Sequence, residues 1–244
     1  MFGNCNPKTN GELYFLNLIK QNINVIFDVG CRTDSEFIEL DKEVHYFDPV
    51  PNFIKTISEK KNKNTNAYFN NFGLSDKVEE IYYYPKYQSF YDRTASCINS
   101  DNANKIILKV QTAKDYIENN KIISMDFLKI DTEGYELNVL KGFGEHLSNV
   151  KIIQFEYGGT FLDNNTKLND VIEYLKKYNF HKFSYLSHNQ CVPIEELKRI
   201  NVNSQARRHG YPPVVEITDN FIPDHYNYSN IVCINKTANL DSLF

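Results

Sequence analysis

The chain has 244 residues, 41% of them hydrophobic and 24% charged, with a net charge of −4. These values exclude a disordered chain and a general nucleic-acid binder, and they leave room for one sizeable globular domain. Cys5, Cys31, Cys97, Cys191 and Cys233 are far apart and form no CxxC pair. That argues against a disulfide framework or a zinc site, and for a reducing, cytoplasmic setting. No basic-then-apolar leader and no bilayer-length apolar run is present, so a membrane is not an expected partner.

In chain order, apolar spacing predicts a helix over residues 11–20, within an N-terminal segment 1–22, capped by Thr9 or Asn10. A buried strand follows at 24–29, a helix starting at 35–40, a strand at 44–47, a helix at 51–59 and a strand at 67–70. This β-α-β-α-β order implies a parallel sheet with right-handed crossovers. The next stretch is β-rich, with strands expected at 79–84, 94–99 and 106–110 and no helix between them. A short helix at 113–118, a strand at 125–130 and a helix from 135 to about 147 come next. A buried strand at 151–157 and a helix at 168–178 lead to two last strands at 183–186 and 231–234. A long polar insertion, 187–228, separates these two strands. With no repeat and no flexible linker, residues 1–244 read as a single domain.

The run from Phe127 to Gly142, FLKIDTEGYELNVLKG, is the most informative. An apolar strand ends abruptly in Asp131, Thr132, Glu133 and Gly134, with Glu136 close behind. Carboxylates at the end of a buried strand are costly without a purpose. In open α/β sheets that end is where ligands sit. Asp28 and Asp48 end two further strands. An acid at the end of the second strand is placed to accept hydrogen bonds from ribose hydroxyls, which points to an adenosine-type cofactor.

The loop after the first strand, Asp28-Val29-Gly30-Cys31-Arg32-Thr33-Asp34, carries one glycine and two acids. A dinucleotide needs a glycine-rich turn for its pyrophosphate, and acids would repel it. S-adenosylmethionine has no phosphate and carries a sulfonium and an ammonium, which the acids complement. Gly30 lets the backbone approach closely.

Together VIFDVGC (25–31), HYFDPVP (45–51), NNFGLSDK (70–77), VQTAKDYI (110–117), the 127–142 run and IIQFEY (152–157) resemble the FkbM family of S-adenosylmethionine-dependent methyltransferases. The resemblance implies a Rossmann-like, seven-stranded, mostly parallel sheet with an antiparallel last strand and a β-rich insertion before the fourth parallel strand. It implies O-methylation of a sugar, nucleotide sugar or glycan. Carried onto the matching positions, it gives cofactor contacts from Asp28, Gly30, Cys31, Arg32, Asp48, Pro49, Leu74, Ser75 and Asp131. This chain lacks the second glycine of the family's first loop, and Arg32 stands where it can reach the cofactor's carboxylate.

Methyl transfer to a hydroxyl needs alignment and removal of a proton. Asp131, Glu133 and Glu156 are the catalytic candidates, either as acceptor ligand and base or as joint ligands of a divalent cation such as Mg²⁺. Glu136 reads as a helix-terminus acid. His45 reads as a strand residue and His146 as a helix-end residue. His209, beside Arg207 and Arg208 in the insertion, is a further candidate base, and the arginines would suit a phosphate on the acceptor. Tyr82, Tyr83, Tyr84, Tyr87 and Tyr91 are candidates for a sugar site, with alternation turning about half of them away. The competing readings are an NAD-dependent sugar-modifying oxidoreductase and a catalytically silent S-adenosylmethionine-binding module.

Overall fold

A computed structural model of the chain describes residues 7, 10–60, 66–86, 88–90, 105–187, 190–193, 199–201, 214–216, 229–238 and 240. The strands are β1 (Val25–Val29), β2 (Glu43–Phe47), β3 (Ala67–Asn70), β4 (Gly73–Leu74), β5 (Glu79–Tyr83), β6 (Ile106–Gln111), β7 (Met125–Ile130), β8 (Val150–Tyr157), β9 (Phe180–Ser187), β10 (Gln190–Pro193), β11 (Arg199–Asn201), β12 (Val214–Glu216) and β13 (Ser229–Asn235). The helices are α1 (Glu12–Ile19), α2 (Pro51–Lys60), α3 (Ala113–Asn120), α4 (Glu136–Phe143) and α5 (Leu168–Lys176).

One sheet runs in the order β10-β9-β13-β8-β7-β1-β2-β3. From β3 to β8 every pair is parallel, while β13 runs antiparallel to both β8 and β9. The seven expected strands are all there, and β10 adds a short antiparallel edge. The β-rich insertion forms its own three-stranded sheet, β4-β6-β5.

Helices cover both faces. Tyr116, Val139, Leu140, Phe143, Val171 and Leu175 from α3, α4 and α5 pack on Phe27, Leu128, Ile130, Ile153 and Phe155. On the other face, Phe15, Leu16 and Ile19 of α1 and Ile54 and Ile57 of α2 pack on Ile26, Val44, Phe127, Ile152 and Val232. Strand alternation continues this second face toward the carboxyl ends of the strands. There Asp28, Lys129 and Gln154 stand side by side in register, and Asp131 and Glu156 lie two residues further on. One face of the sheet thus changes from apolar to charged beneath the start of α1.

Three expectations are corrected. Residues 35–40 form turns instead of a helix. Ser35 donates to Asp28 Oδ2 at 2.6 Å and accepts from Phe37 N at 3.2 Å, and i→i+3 bonds from Ile38 and Leu40 replace helical ones. The helix expected to reach Leu147 stops at Phe143, because Gly144 has φ 53°, and a 3₁₀ segment Gly144–Asn149 follows. The strands expected from 183 and at 231–234 extend to Phe180–Ser187 and Ser229–Asn235. The strand expected at 94–99 and most of the insertion lie outside the described residues.

Candidate active site

The first loop is fixed by its backbone. Gly30 has φ +82°, and a Cβ there would lie 1.9 Å from the Asp131 carbonyl oxygen. Gly30 N donates to Phe47 O at 2.8 Å and Asp131 N donates to Val29 O at 2.9 Å. The ends of β1, β2 and β7 are therefore laced together with no room for a side chain.

Asp48, just past β2, is 4% exposed. Its Oδ2 accepts from Arg32 N at 3.1 Å and its Oδ1 from Val50 N at 2.8 Å. Burial pushes its carboxyl up to about 6, against the pull of these two N–H groups. Each oxygen keeps lone pairs for further donors, as a ribose diol would supply. A narrow cavity of ≈ 40 Å³ opens here, lined by Gly30, Asp48, Pro49, Phe53, Tyr83 and Phe90 among others.

A larger cavity of ≈ 480 Å³ adjoins it. Arg32, Asp131 and Glu133 line both. Glu12, Glu36, Lys129 and Glu156 belong to the larger one. Carboxylate oxygens of Asp131, Glu133 and Glu156 all lie within 4.8 Å of one another. Burial raises the Asp131 carboxyl above its ordinary range, with Lys129 opposing and Glu12 reinforcing. Burial likewise pushes Asp28 up to about 7, again against Lys129. Arg32 and Glu133 both adopt left-handed backbone, φ 51° and 55°, and their side chains meet at 3.8 Å. Both residues thus hold a sparsely populated backbone conformation at the point where the two cavities meet.

Gly30, Arg32, Asp48, Pro49, Asp131, Glu133 and Glu156 line one or both cavities, whereas Asp28, buried and bonded to Ser35, lines neither. Cys31 lies beside them, buried, with its thiol pushed up by burial and by Asp28. Leu74 and Ser75 line neither cavity. Leu74 is part of the apolar core, and Ser75 packs under α4 with its hydroxyl 3.3 Å from the Tyr135 hydroxyl. Glu136 is the first residue of α4, and its Oε1 accepts from Thr132 N, the Thr132 hydroxyl and Gly134 N at 2.9, 3.1 and 3.2 Å. It ties the acidic loop together and does not line either cavity. His45 sits buried in β2 between Tyr116 OH at 2.8 Å and Glu43 at 2.9 Å. His146 is in the 3₁₀ segment after α4. Tyr83 faces inward at 7% exposure and Tyr82 outward at 49%. Arg207, Arg208, His209, Tyr87 and Tyr91 lie outside the described residues.

Sequence reasoning missed Lys129 with its partners Glu12 and Glu36. Alternation in FLKID already puts Lys129 on the face of Asp131, so the signal for the lysine was present. Its partners come from α1 and from the β1–β2 loop, distant in sequence, and no local pattern marks them.

A mostly parallel α/β sheet carries a buried acid after β2, a close-approach glycine after β1 and clustered acids after β7 and β8, a layout compatible with an adenosine-bearing cationic cofactor. The family model for the methyltransferase FkbM domain matches residues 28–182, and the chain belongs to that family. It is accordingly an S-adenosylmethionine-dependent methyltransferase, which decides for the methyl donor over the nicotinamide alternative. None of the curated proteins matches the chain. Among solved structures it is similar to a precorrin-8w decarboxylase from Methanobacterium thermoautotrophicum (15% identity, covering 94% of this chain and 95% of that one, TM-score 0.40). A TehB-like SAM-dependent methyltransferase from Corynebacterium glutamicum is also similar (10% identity, 91% and 88% covered, TM-score 0.39). So is a human methyltransferase 10 domain containing protein (6% identity, 91% and 80% covered, TM-score 0.42). At these identities and TM-scores the three structures add nothing about activity.

Proposed function

We propose that the protein transfers a methyl group from S-adenosylmethionine to a hydroxyl of a sugar, nucleotide sugar or glycan. The observation that carries this reading is the meeting of Asp131, Glu133 and Glu156 within 4.8 Å, at the wall of a cavity large enough for an acceptor. When bound, the cofactor supplies an electrophilic methyl on a cationic sulfur.

The chain's residues do the rest. Asp48 would accept from the ribose hydroxyls, Gly30 would let the main chain approach the cofactor closely, and Arg32 would pair with its carboxylate. Asp131 faces the junction of donor and acceptor. Glu133 or Glu156 accepts a hydrogen bond from the acceptor hydroxyl and takes its proton. With the proton held on that carboxylate, the acceptor oxygen would be free to take the methyl, the bonding pair of the methyl–sulfur bond staying on sulfur. A carboxylate within reach of the acceptor hydroxyl is suited to this role. In a second arrangement the same three carboxylates bind a divalent cation, for which hard oxygen donors at this spacing are suited.

The test is incubation with S-adenosylmethionine and a panel of sugars and nucleotide sugars, with O-methylated products read by mass spectrometry. A methyl ether product supports the reading. Tight S-adenosylhomocysteine binding with no product from any acceptor supports the silent-module alternative instead. Full turnover after exhaustive EDTA treatment excludes the metal arrangement.

A further inference from the structure

Lys129 is buried beneath α1 at the carboxyl end of β7. Its Nζ lies 3.1 Å from Glu12 Oε1 and 2.9 Å from Glu36 Oε1, and the three side chains are 12%, 11% and 10% exposed. Burial alone would lower the lysine's pKa, but Glu36 and Glu12 hold it well above the ordinary value. One ammonium faces two carboxylates, and the buried acids Asp28 and Asp131 also act on it, so the charge balance around Lys129 is negative. A single glutamate would have neutralised Lys129; the second, from a different element, adds the cost of burying another carboxylate. Glu12 is held for this place. Asn10 accepts from its backbone N at 3.0 Å and donates to its carboxylate at 2.6 Å, and Gln154 donates to Glu12 Oε1 at 3.2 Å.

All three residues line the larger cavity. The two cavities meet at Arg32, Asp131 and Glu133, so a donor with its ribose on Asp48 extends its sulfur and amino-acid end toward this triad. The donor enters with a cationic sulfonium and leaves as a neutral thioether, with the remaining atoms shared.

We propose that the buried Glu12–Lys129–Glu36 triad is a specificity-determining element. Its net negative charge makes the cavity hold S-adenosylmethionine more tightly than S-adenosylhomocysteine, so that the product leaves readily. The inference rests on the reading that places the donor's ribose at Asp48. It also makes the start of α1 part of the active site.

The test is calorimetric titration of the full chain with each of the two ligands, reading the ratio of their affinities. Glu12→Gln and Glu36→Gln each lower the preference for S-adenosylmethionine by about threefold to tenfold, a range set by a unit charge acting over a partly solvated distance. Both leave S-adenosylhomocysteine affinity within about twofold. Lys129→Met combined with Glu12→Gln restores the net charge and with it the original ratio. A purely structural role predicts a parallel loss of both ligands. That result, or an unchanged ratio in both glutamine variants, overturns the proposal. Should Glu12→Gln loosen α1 and fail to fold, Glu36→Gln, on a loop, gives the same reading. Asp48→Asn separates the two levels: it weakens both ligands together, and no effect there would overturn the donor placement instead.

Discussion

At Glu136 a carboxylate is 1% exposed and its Oε2 has no hydrogen-bond partner among the described residues, while Oε1 carries three. Burial pushes this carboxyl up to about 7, opposed by the backbone donors of the acidic loop. Because the folded value lies above the ordinary 4.5, the folded state binds more protons between those values. Stability attached to this group is therefore fully present at low pH and lost as pH rises through about 7. Glu136→Gln keeps the Oε1 acceptor and removes the ionisation. Urea unfolding of the variant relative to the native protein should improve on going from pH 5 to pH 8, by on the order of 2–3 kcal/mol. A pH-independent difference would contradict the assignment. At Gly30 the backbone itself decides. Gly30→Ala places a methyl where the Asp131 carbonyl stands, in a left-handed conformation. A loss of about 3 kcal/mol or more in urea unfolding is expected, together with loss of S-adenosylhomocysteine binding.

Among the elements, α4 illustrates how packing overrides propensity. Gly142 lies inside the helix, where alanine ordinarily gains about 1 kcal/mol. Here a Cβ would lie 2.0 Å from the Ser75 carbonyl oxygen, because the β4 loop crosses the helix at that point. Gly142→Ala is therefore expected to lower stability by about 2 kcal/mol or more, measured by thermal or urea unfolding. An increase in stability would show that the β4 loop yields. The same contact explains the burial of Ser75, whose carbonyl lies against α4. Local sequence made most elements legible, because period-two and period-3.6 apolar spacing follows the faces they bury. It failed at 35–40, where spacing suited a helix but the Ser35 side chain is engaged by Asp28 and Phe37 N. It failed at the end of α4, where Gly144 stops a pattern that otherwise continues. The acids after β1, β2, β7 and β8 were legible because strand ends are easy to locate and charged residues are rare there. The triad was not, since it joins three segments that only the folded sheet brings together.

At the scale of the whole molecule, one sheet edge hosts two functions along a line from β2 to β8. In the proposed reading the acid after β2 addresses the donor's ribose, and the acids after β7 and β8 address the acceptor. The order β3-β2-β1-β7-β8 brings these together, since β1 and β7 are neighbours although α2, the small sheet and α3 separate them in sequence. No helix among the described residues is long and apolar enough to cross a membrane. Ligand binding to the native state should stabilise the chain by mass action: S-adenosylhomocysteine at a hundred times its dissociation constant raises stability by about 2.7 kcal/mol, visible as a rise in Tm, whereas NAD leaves Tm unchanged. The division of labour along the sheet edge is tested most directly by calorimetric titration of S-adenosylhomocysteine into the native protein, Asp48→Asn and Glu156→Gln. Affinity should fall at least about tenfold in Asp48→Asn, the loss of a charge-assisted hydrogen bond, and stay within about twofold in Glu156→Gln. Equal affinity in all three, or an equal loss in Glu156→Gln, would contradict the account.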